Sequence, residues 1–475
     1  MNAHDSGSVK VTDRRLGRRS LLKAVGATSL AASLSPVLAG TARATEETRL
    51  DAIVIGAGYA GGTVARELGA KGLRTMVLEA RDRIGGRIWT GSFAGQTVDF
   101  GGGWLGPQQE LAQKEVARYG IKTFYETPGD RAMMPGDTGL VGTDLSAVSS
   151  RLSGLFKELF KNSESYFEHP ADPLFRKDLL AAVDPLSLED RLRQLSVSPV
   201  DLKWLNGGSA VYAGGSSSWA ALTSMAQWYQ LAGGTYEGFE STMGIKPVGG
   251  MTELLKAMLA DSKAMVKLNS PVSSVTEANG KVTVQVQGGG AYTAPVAVVA
   301  TPANVWKSIT FNPGLPKAHT QATTQGMGVP HATKIWVLVK GTVDAVYGQA
   351  PEGSPILMLV PQQQLPEGRL FVAFGGPSLD TNDKAKVQTA VQAFLPGAVV
   401  SDYRATAWHA DKYAMGGWGM RRPNQLLQLF PQIEQPHGRI VFAGADIAKG
   451  WHGAFIEGAI ESGLRAAQQA ATLAS

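Results

Sequence analysis

The periodicity of apolar and polar positions along the chain predicts its strands and helices. A short apolar run at Ala52–Ile55 predicts a buried strand, and the helical segment that follows it ends near Gly72. A second short run at Thr75–Leu78 predicts the next strand. Because strand, helix and strand in this order are typical of a parallel βαβ unit, the region predicts an α/β fold.

The same periodicity predicts the helices and strands of the remaining chain. We expect helices at residues 107–119, around the apolar stripe 152–160, from 251 onward, at 385–394 and at 455–470, and strands at 271–277, 282–286, 296–300, 334–339, 356–360, 370–374, 402–408 and 439–444. The dipeptide Asn279-Gly280 favours a tight turn, so the first two of these strands are predicted to form a hairpin.

The stretch 204–236 carries no charged residue. Gly, Ser, Gln and Thr are scattered through it, so it predicts buried helices rather than a membrane span. Within it, Met225, Trp228 and Tyr229 either line a pocket or belong to the core.

Composition limits the possible chemistry. The chain has 475 residues, of which 44% are hydrophobic, so we expect a large core and two domains. Cysteine is absent, which excludes disulfides and cysteine-ligated metals. The six histidines after residue 44 show no spacing typical of metal ligands.

The N-terminal segment resembles a twin-arginine export signal. Arg18-Arg19 precede a mildly apolar stretch, 24–40, and a small-x-small cleavage pattern at 42–44. The apolar part is too short, and too rich in Ser, Gly and Pro, for stable membrane insertion. We therefore expect residues 1–44 to be a signal peptide, and the protein to be periplasmic or secreted in a bacterium.

The positive charge belongs to this segment. Residues 1–44 contain seven Lys or Arg and two Asp, so they carry the whole formal net charge of +5 and the rest of the chain is formally neutral. The sequence therefore gives no support for a nucleic-acid partner.

A glycine pattern marks the first predicted turn. Gly56, Gly58 and Gly61 have GxGxxG spacing between a strand and a helix, and Glu79 follows 23 residues after Gly56. Such glycines allow a tight turn, close approach of a pyrophosphate and close helix packing, while the acid accepts ribose hydroxyls. The pattern predicts a dinucleotide site at the N-terminus of the helix.

The residues that follow Glu79 indicate which dinucleotide binds. The runs RDRIGGR at 81–87 and VDFGGGW at 98–104 resemble FAD-contact motifs of the flavin amine oxidase family, and the resemblance extends over residues 50–470. It implies a Rossmann-like FAD-binding domain of the glutathione-reductase type, with an interleaved α+β substrate domain. The implied FAD-binding segments are 45–105, 245–305 and 405–475, and the substrate segments are 106–244 and 306–404.

The resemblance also implies the FAD contacts. In addition to the glycines and Glu79, they are Tyr59, Ala60, Arg81, Gly86, Arg87, Gly102, Gly103, Trp104, Val272, Asp446 and Ile456. Among these, Arg87 would contact the pyrophosphate, Val272 the adenine and Asp446 a ribityl hydroxyl. In monoamine oxidases the position of Gly417 is the cysteine bonded to flavin, so we expect non-covalent FAD here.

Three residues are implied in catalysis. Lys334 would hold a water near flavin N5. The alternative interpretation is a structural lysine at a strand end, with its aliphatic part buried and its ammonium in water. Trp418 and Phe455 would form an aromatic cage, although one extra residue beside Phe455 leaves Trp451 or His452 as alternative second walls. The other interpretation of the cage is a pair of core aromatics.

The implied activity is oxidation of an amine to an imine, by hydride transfer to FAD and then hydrolysis. The export signal and Trp418 resemble bacterial nicotine and pseudooxynicotine amine oxidoreductases. The electron acceptor would be oxygen or a periplasmic cytochrome c, and we expect a homodimer. One alternative is an L-amino-acid oxidase, which Trp104 disfavours because it replaces the usual carboxylate-binding cation; another is a flavin-bound scaffold without turnover.

Overall fold

The strand predicted at Ala52–Ile55 lies at the centre of a parallel sheet. The computed structural model describes residues 49–126 and 128–475, so the predicted signal peptide lies outside the described residues. Within the described part, this sheet has five strands in the order β20 (Ile440–Phe442), β13 (Val296–Val299), β1 (Ala52–Ile55), β2 (Thr75–Leu78) and β9 (Met265–Lys267). All four neighbouring pairs are parallel.

A second, larger sheet lines part of the protein's main cavity, which also borders the parallel sheet. Its described strands are, in order, β19 (Val400–Ala407), β15 (Thr333–Lys340), β18 (Gly368–Gly375), β17 (Ile356–Gln364), β16 (Val346–Gln349), β6 (Arg131–Pro135) and β7 (Leu140–Thr143). Only the pairing of β16 with β6 is parallel among these. The sequence predicted β15, β17, β18 and the edge strand β19, whereas β16, β6 and the edge strand β7 were not predicted.

The remaining described strands form three smaller sheets. A four-stranded sheet has the order β12 (Ala291–Ala294), β11 (Lys281–Val286), β10 (Val272–Ala278) and β14 (Thr310–Asn312), and two ribbons pair β3 (Thr90–Phe93) with β4 (Gln96–Asp99) and β5 (Thr123–Tyr125) with β8 (Ile245–Pro247). The predicted hairpin is confirmed, with Asn279 at φ 52° and Gly280 at φ 71° between β10 and β11.

The helices surround these sheets. They are α1 (Tyr59–Ala70), α2 (Glu110–Arg118), α3 (Leu145–Leu159), α4 (Ser163–Tyr166), α5 (Lys177–Val183), α6 (Leu188–Arg193), α7 (Pro199–Tyr212), α8 (Leu222–Leu231), α9 (Tyr236–Ser241), α10 (Met251–Ser262), α11 (Lys317–Gln325), α12 (Lys384–Gln392), α13 (Gln425–Leu429) and α14 (Ile456–Ala474). Short 3₁₀ helices lie at Ala303–Ser308, Trp408–Ala410, Gln432–Glu434 and Ala445–Ile447. Helix α1 packs between α10 and α14.

Helix α2 begins later than the sequence predicts. Pro107 lies in a turn, and the helix starts at Glu110. The carboxylate of Glu457, on α14, accepts hydrogen bonds from the backbone N–H groups of Leu111 and Ala112 at 2.9 and 2.7 Å. Because the first N–H groups of a helix need partners from outside it, a distant side chain supplies this cap.

The predicted core is confirmed in α3 and α8. The stripe at 152–160 is buried, and Met225, Trp228 and Tyr229 are also buried. Of these three, only Trp228 lines the main cavity. No helix in the described ranges is long and apolar enough to cross a membrane.

The structure gives no test of the predicted domain boundaries. Residues 49–475 form one compact unit. The parallel sheet takes its strands from the segments predicted to bind FAD, but the two-domain division stays a prediction.

Candidate active site

One cavity joins the carboxyl edge of the parallel sheet to a group of aromatic side chains. Its volume is about 560 Å³. At one end it is lined by the β1–α1 turn, and at the other by Trp418 and Phe455. Ligand sites in α/β proteins typically lie beyond the carboxyl ends of parallel strands, so this is the expected place for a bound molecule.

The glycine turn between β1 and α1 is built as predicted. Gly56 has φ +108°, a conformation that side chains disfavour. A Cβ on Gly61 would lie 1.9 Å from the carbonyl oxygen of Gly56, so only glycine allows the helix to pack this closely on the turn. The first turn of α1 then borders the cavity through Gly58, Tyr59 and Ala60.

Glu79 is fixed at the end of β2. Its two carboxylate oxygens accept hydrogen bonds from the backbone N–H groups of Ala57, at 2.8 Å, and Arg81, at 3.0 Å. The side chain is buried but lines the cavity. Each oxygen has a further lone pair, so Glu79 remains able to accept a ligand hydroxyl.

Arg87 connects three distant parts of the chain. Its Nη1 donates to the carbonyl oxygen of Gly417 at 2.9 Å and to the carboxylate of Asp446 at 2.8 Å. The other oxygen of Asp446 accepts from the backbone N–H of Ala303 at 3.1 Å. In the described chain, the hydrogen bonds of Arg87 all use Nη1, which leaves Nε and Nη2 for an anionic ligand.

Lys334 is buried at the start of β15 and lines the cavity. Its ammonium donates to the carbonyl oxygen of Gly101 at 2.9 Å and lies 4.1 Å from the centre of the Trp104 ring. Burial and, to a smaller extent, the nearby charge of Lys246 together lower the pKa of Lys334 to about 7. A lysine that titrates near neutral pH can give or take a proton, which a solvated lysine rarely does there.

A second buried cation lies beside Trp104. The ammonium of Lys246 forms an ion pair with Glu126 at 2.8 Å and donates to the side-chain oxygen of Gln362 at 2.6 Å. Glu126 also accepts from the indole N–H of Trp104 at 2.5 Å. This network fixes the Trp104 ring, and the ammonium groups of both lysines lie within 5.0 Å of its centre.

The aromatic end has two defined walls. The indole N–H of Trp418 donates to the carbonyl oxygen of Tyr212 at 2.7 Å, which fixes that ring. Phe455 makes T-shaped contacts with Trp228 and Trp451, with ring centres 4.8 and 4.9 Å apart. These contacts fix both rings at positions that border the cavity.

The structure separates the three candidates for the second wall. Phe455 lines the cavity, whereas Trp451 and His452 are buried outside its lining. Burial lowers the pKa of His452 well below its usual value, so this histidine is a neutral core residue. The placement supports Phe455.

The cavity brings nearly all the predicted site residues together. Its lining contains Gly56, Gly58, Tyr59, Ala60, Glu79, Arg81, Gly86, Arg87, Gly102, Gly103, Trp104, Val272, Lys334, Trp418, Phe455 and Ile456. Gly61 and Asp446 lie outside the lining. Gly61 packs behind the glycine turn, and Asp446 holds Arg87, so both border the site through a neighbour.

Sequence reasoning missed several polar groups of the site. Glu126, Tyr212, Glu240 and Tyr347 line the cavity, and Lys246 lies behind Trp104. A signal existed for two of them: Lys246 interrupts a short apolar run, and Glu240 follows the uncharged stretch 204–236. Neither signal says that the residue faces a cavity.

The chain is similar to a known protein family and to characterised members of it. The profile described as flavin containing amine oxidoreductase matches residues 59–471. A nicotine dehydrogenase of Pseudomonas putida is 32% identical over 434 residues, which cover 90% of this chain and 89% of the relative. A pseudooxynicotine dehydrogenase of a Pseudomonas species is 31% identical, over 99% of this chain and 98% of the relative.

Solved structures show the same fold. Wild-type putrescine oxidase bound to putrescine matches with a TM-score of 0.77 and 21% identity, covering 89% of this chain and 99% of that chain. Cyclohexylamine oxidase from Brevibacterium oxydans matches with a TM-score of 0.74. Together with the family profile, these findings show that the chain belongs to the flavin-containing amine oxidoreductases, enzymes that act on amines with FAD.

Proposed function

We propose that this protein oxidises the C–N bond of a primary or secondary amine to an imine, which water then hydrolyses. The observation that carries the proposal is the single cavity that joins the glycine turn to Lys334, Trp418 and Phe455. The similarity to the two Pseudomonas dehydrogenases supports a pyridine-alkaloid amine such as nicotine or pseudooxynicotine as substrate.

The residues present fit FAD. The first N–H groups of α1 have no partner within the helix and face a site for a pyrophosphate. Glu79 can take a ribose hydroxyl, and Arg87 has free donors beside the same cavity. Gly102 and Gly103 line it without side chains, so a flat ring can lie against their backbone. Bound FAD supplies the acceptor for the hydride that the amine loses.

The chain's own residues prepare the amine. Trp418 and Phe455 present apolar ring surfaces that orient the substrate and exclude water. A free alkylamine has a pKa close to that of lysine, about 10.4, and is therefore mostly protonated at neutral pH. Because apolar surroundings disfavour the charged form, they favour loss of this proton, which restores the nitrogen lone pair.

Lys334 provides a polar group at the inner wall. Its bond to Gly101 fixes the ammonium, and its lowered pKa allows it to exchange a proton with a bound water near neutral pH. In this proposal Lys334 acts on the oxygen-dependent step. Replacing it with methionine should slow reoxidation by oxygen more than it slows flavin reduction, and equal losses would make Lys334 structural.

The site supports an amine over an amino acid. A substrate carboxylate needs a cation, and the two lysines beside Trp104 are poor candidates. Lys246 is already paired with Glu126, and burial lowers the pKa of Lys334 to about 7, so much of its charge is lost at neutral pH. An unpaired carboxylate in such a place costs several kcal/mol, roughly 2 or more.

Flavin reduction tests this proposal. The purified enzyme is mixed with amines anaerobically and in the dark, and the loss of flavin absorbance is followed by stopped flow. The panel contains nicotine, pseudooxynicotine, phenethylamine and phenylalanine. Phenethylamine should exceed phenylalanine by more than about tenfold in kcat/KM if either is accepted. Comparable values would favour the amino-acid oxidase, and no reduction by any amine would favour a scaffold.

We further propose export to the periplasm or the medium, with oxygen or a cytochrome c as electron acceptor. The support is the twin-arginine pattern at Arg18-Arg19 and the cleavage pattern at 42–44. Cell fractionation of the full chain and of an Arg18→Lys, Arg19→Lys variant tests export. Reoxidation of the reduced enzyme by oxygen and by cytochrome c, measured side by side, identifies the acceptor.

A further inference from the structure

We infer that Glu240 is a specificity-determining residue that binds a basic ring nitrogen at the end of the substrate remote from the oxidised C–N bond. This inference rests on the proposed function. It assigns recognition of the flat, weakly basic nitrogen heterocycle of the proposed substrate to one side chain.

The cavity contains one carboxylate without a cationic partner. Among the described residues, Glu79, Glu126 and Glu240 are the carboxylates that line it. Glu79 is fixed by backbone N–H groups, and Glu126 is paired with Lys246. Glu240 accepts one hydrogen bond, from the hydroxyl of Tyr236, through Oε1. Its second oxygen is therefore free to meet a ligand.

Glu240 combines access with partial desolvation. Its side chain is open to the cavity, yet enough protein surrounds it for desolvation to raise its pKa, while the Tyr236 hydroxyl acts in the opposite direction. Because Glu240 is exposed, water can reach its carboxyl group when no ligand is bound. A nitrogen base can replace that water, because one hydrogen bond joins oxygen and nitrogen whichever of them holds the proton.

The neighbouring walls favour a flat ring. Tyr212, Trp228 and Tyr347 line the same cavity, and the Tyr212 and Trp228 ring centres are 4.9 Å apart. Glu240 is near enough to both tyrosines for its charge to contribute to raising their pKa values. Aromatic walls pack well against a planar ring, and a single polar group among them fixes its orientation.

The test compares two amines that differ in one ring atom. They are N-methyl-2-(pyridin-3-yl)pyrrolidine and N-methyl-2-phenylpyrrolidine. Enzyme reduced beforehand under anaerobic conditions cannot oxidise either compound, so calorimetry measures affinity separately from turnover. The wild type should bind the pyridyl compound about tenfold more tightly or better, since hydrogen bonds to charged groups are among the stronger ones.

Two variants assign the preference. Glu240→Leu removes every polar atom that could meet the ring nitrogen, whereas a glutamine amide could still donate to it, and it should reduce the preference to about twofold or less. Glu237→Leu makes the same change three residues earlier on α9, at a residue that is also exposed but lies outside the cavity lining, and should keep the wild-type preference. Thermal unfolding of both variants shows whether they are folded.

The outcomes separate this inference from the proposed function. Equal affinities of the wild type for the two compounds, no binding of the pyridyl compound, or a preference that persists in Glu240→Leu would each overturn it. Oxidation of the phenyl compound would still support the amine-oxidising function in those cases. Should Glu240→Leu fail to fold, Glu240→Ala takes its place, with the same expected loss of preference and the same overturning result.

Discussion

The ammonium nitrogen of Lys334 lies 4.1 Å from the centre of the Trp104 indole ring. The two residues are distant in sequence, and the Trp104 ring also lies 5.0 Å from the ammonium of Lys246. An aromatic face attracts a cation, whereas burial and the second lysine oppose the charge of Lys334. As a result, the pKa of Lys334 is about 7, so the side chain is partly deprotonated at neutral pH.

This balance predicts a pH-dependent stability. Unfolded Lys334 titrates near 10.5 and folded Lys334 near 7, so the unfolded state binds more protons between these values. The cost of burying the charge is therefore complete below pH 7 and disappears as the pH rises toward 10.5. Lys334→Met should raise Tm relative to wild type more at about pH 6 than at about pH 10.

Thermal unfolding of the two FAD-bound proteins across this range measures the difference. Lys340→Met, at the exposed end of the same strand, is the matched control, and its difference from wild type should not change in this way. A Lys334→Met difference that is independent of pH would show that the lysine does not titrate in the folded protein.

The cage predicts a loss in the chemical step. Trp418→Ala and Phe455→Ala each remove a wall and admit water, so each should lower the limiting rate of flavin reduction by about tenfold or more. Trp451→Phe changes a buried ring that does not line the cavity and should have a much smaller effect. Unchanged reduction in Phe455→Ala would show that the second wall is elsewhere, and unchanged reduction in both alanine variants would reject the cage.

Gly417 predicts that FAD is released by acid. A Cβ at this position would lie 2.2 Å from the Cβ of Ala332 and 2.8 Å from a methyl group of Val329, so the backbone has no room for a cysteine. Acid precipitation of the wild type should leave yellow flavin in the supernatant, and a yellow pellet would contradict this. Gly417→Cys should lower Tm by several degrees, and adding Ala332→Gly should recover part of that loss.

Glu79 predicts a loss of FAD affinity without loss of the fold. Glu79→Gln places an amide NH₂ against the backbone N–H of Ala57 or Arg81, since both carboxylate oxygens already accept such groups. One donor then lacks a partner, at a cost of about 1–3 kcal/mol. FAD content after purification and the Kd for added FAD should both show the change. Asp82→Asn, at an exposed position nearby, should leave them unchanged.

The sequence by itself determined the elements that depend on local pattern. The strand at Ala52–Ile55, the glycine turn after it and the hairpin at Asn279-Gly280 are each built from neighbouring residues. Backbone freedom at glycine and burial of short apolar runs act over a few residues, so they can be read along the chain. The family resemblance added the order of the FAD motifs, and the cavity gathers nearly all of them.

Only the tertiary structure decided how distant side chains meet. Glu457 caps α2, Asp446 holds Arg87, and Lys246 pairs with Glu126 across separate parts of the chain. The same is true of the position of Phe455 in the cavity lining, with Trp451 outside it, and of the access of Glu240 to the cavity. Hydrogen bonds and desolvation depend on distance in space rather than on spacing in sequence, so these relations became visible only once the chain was folded.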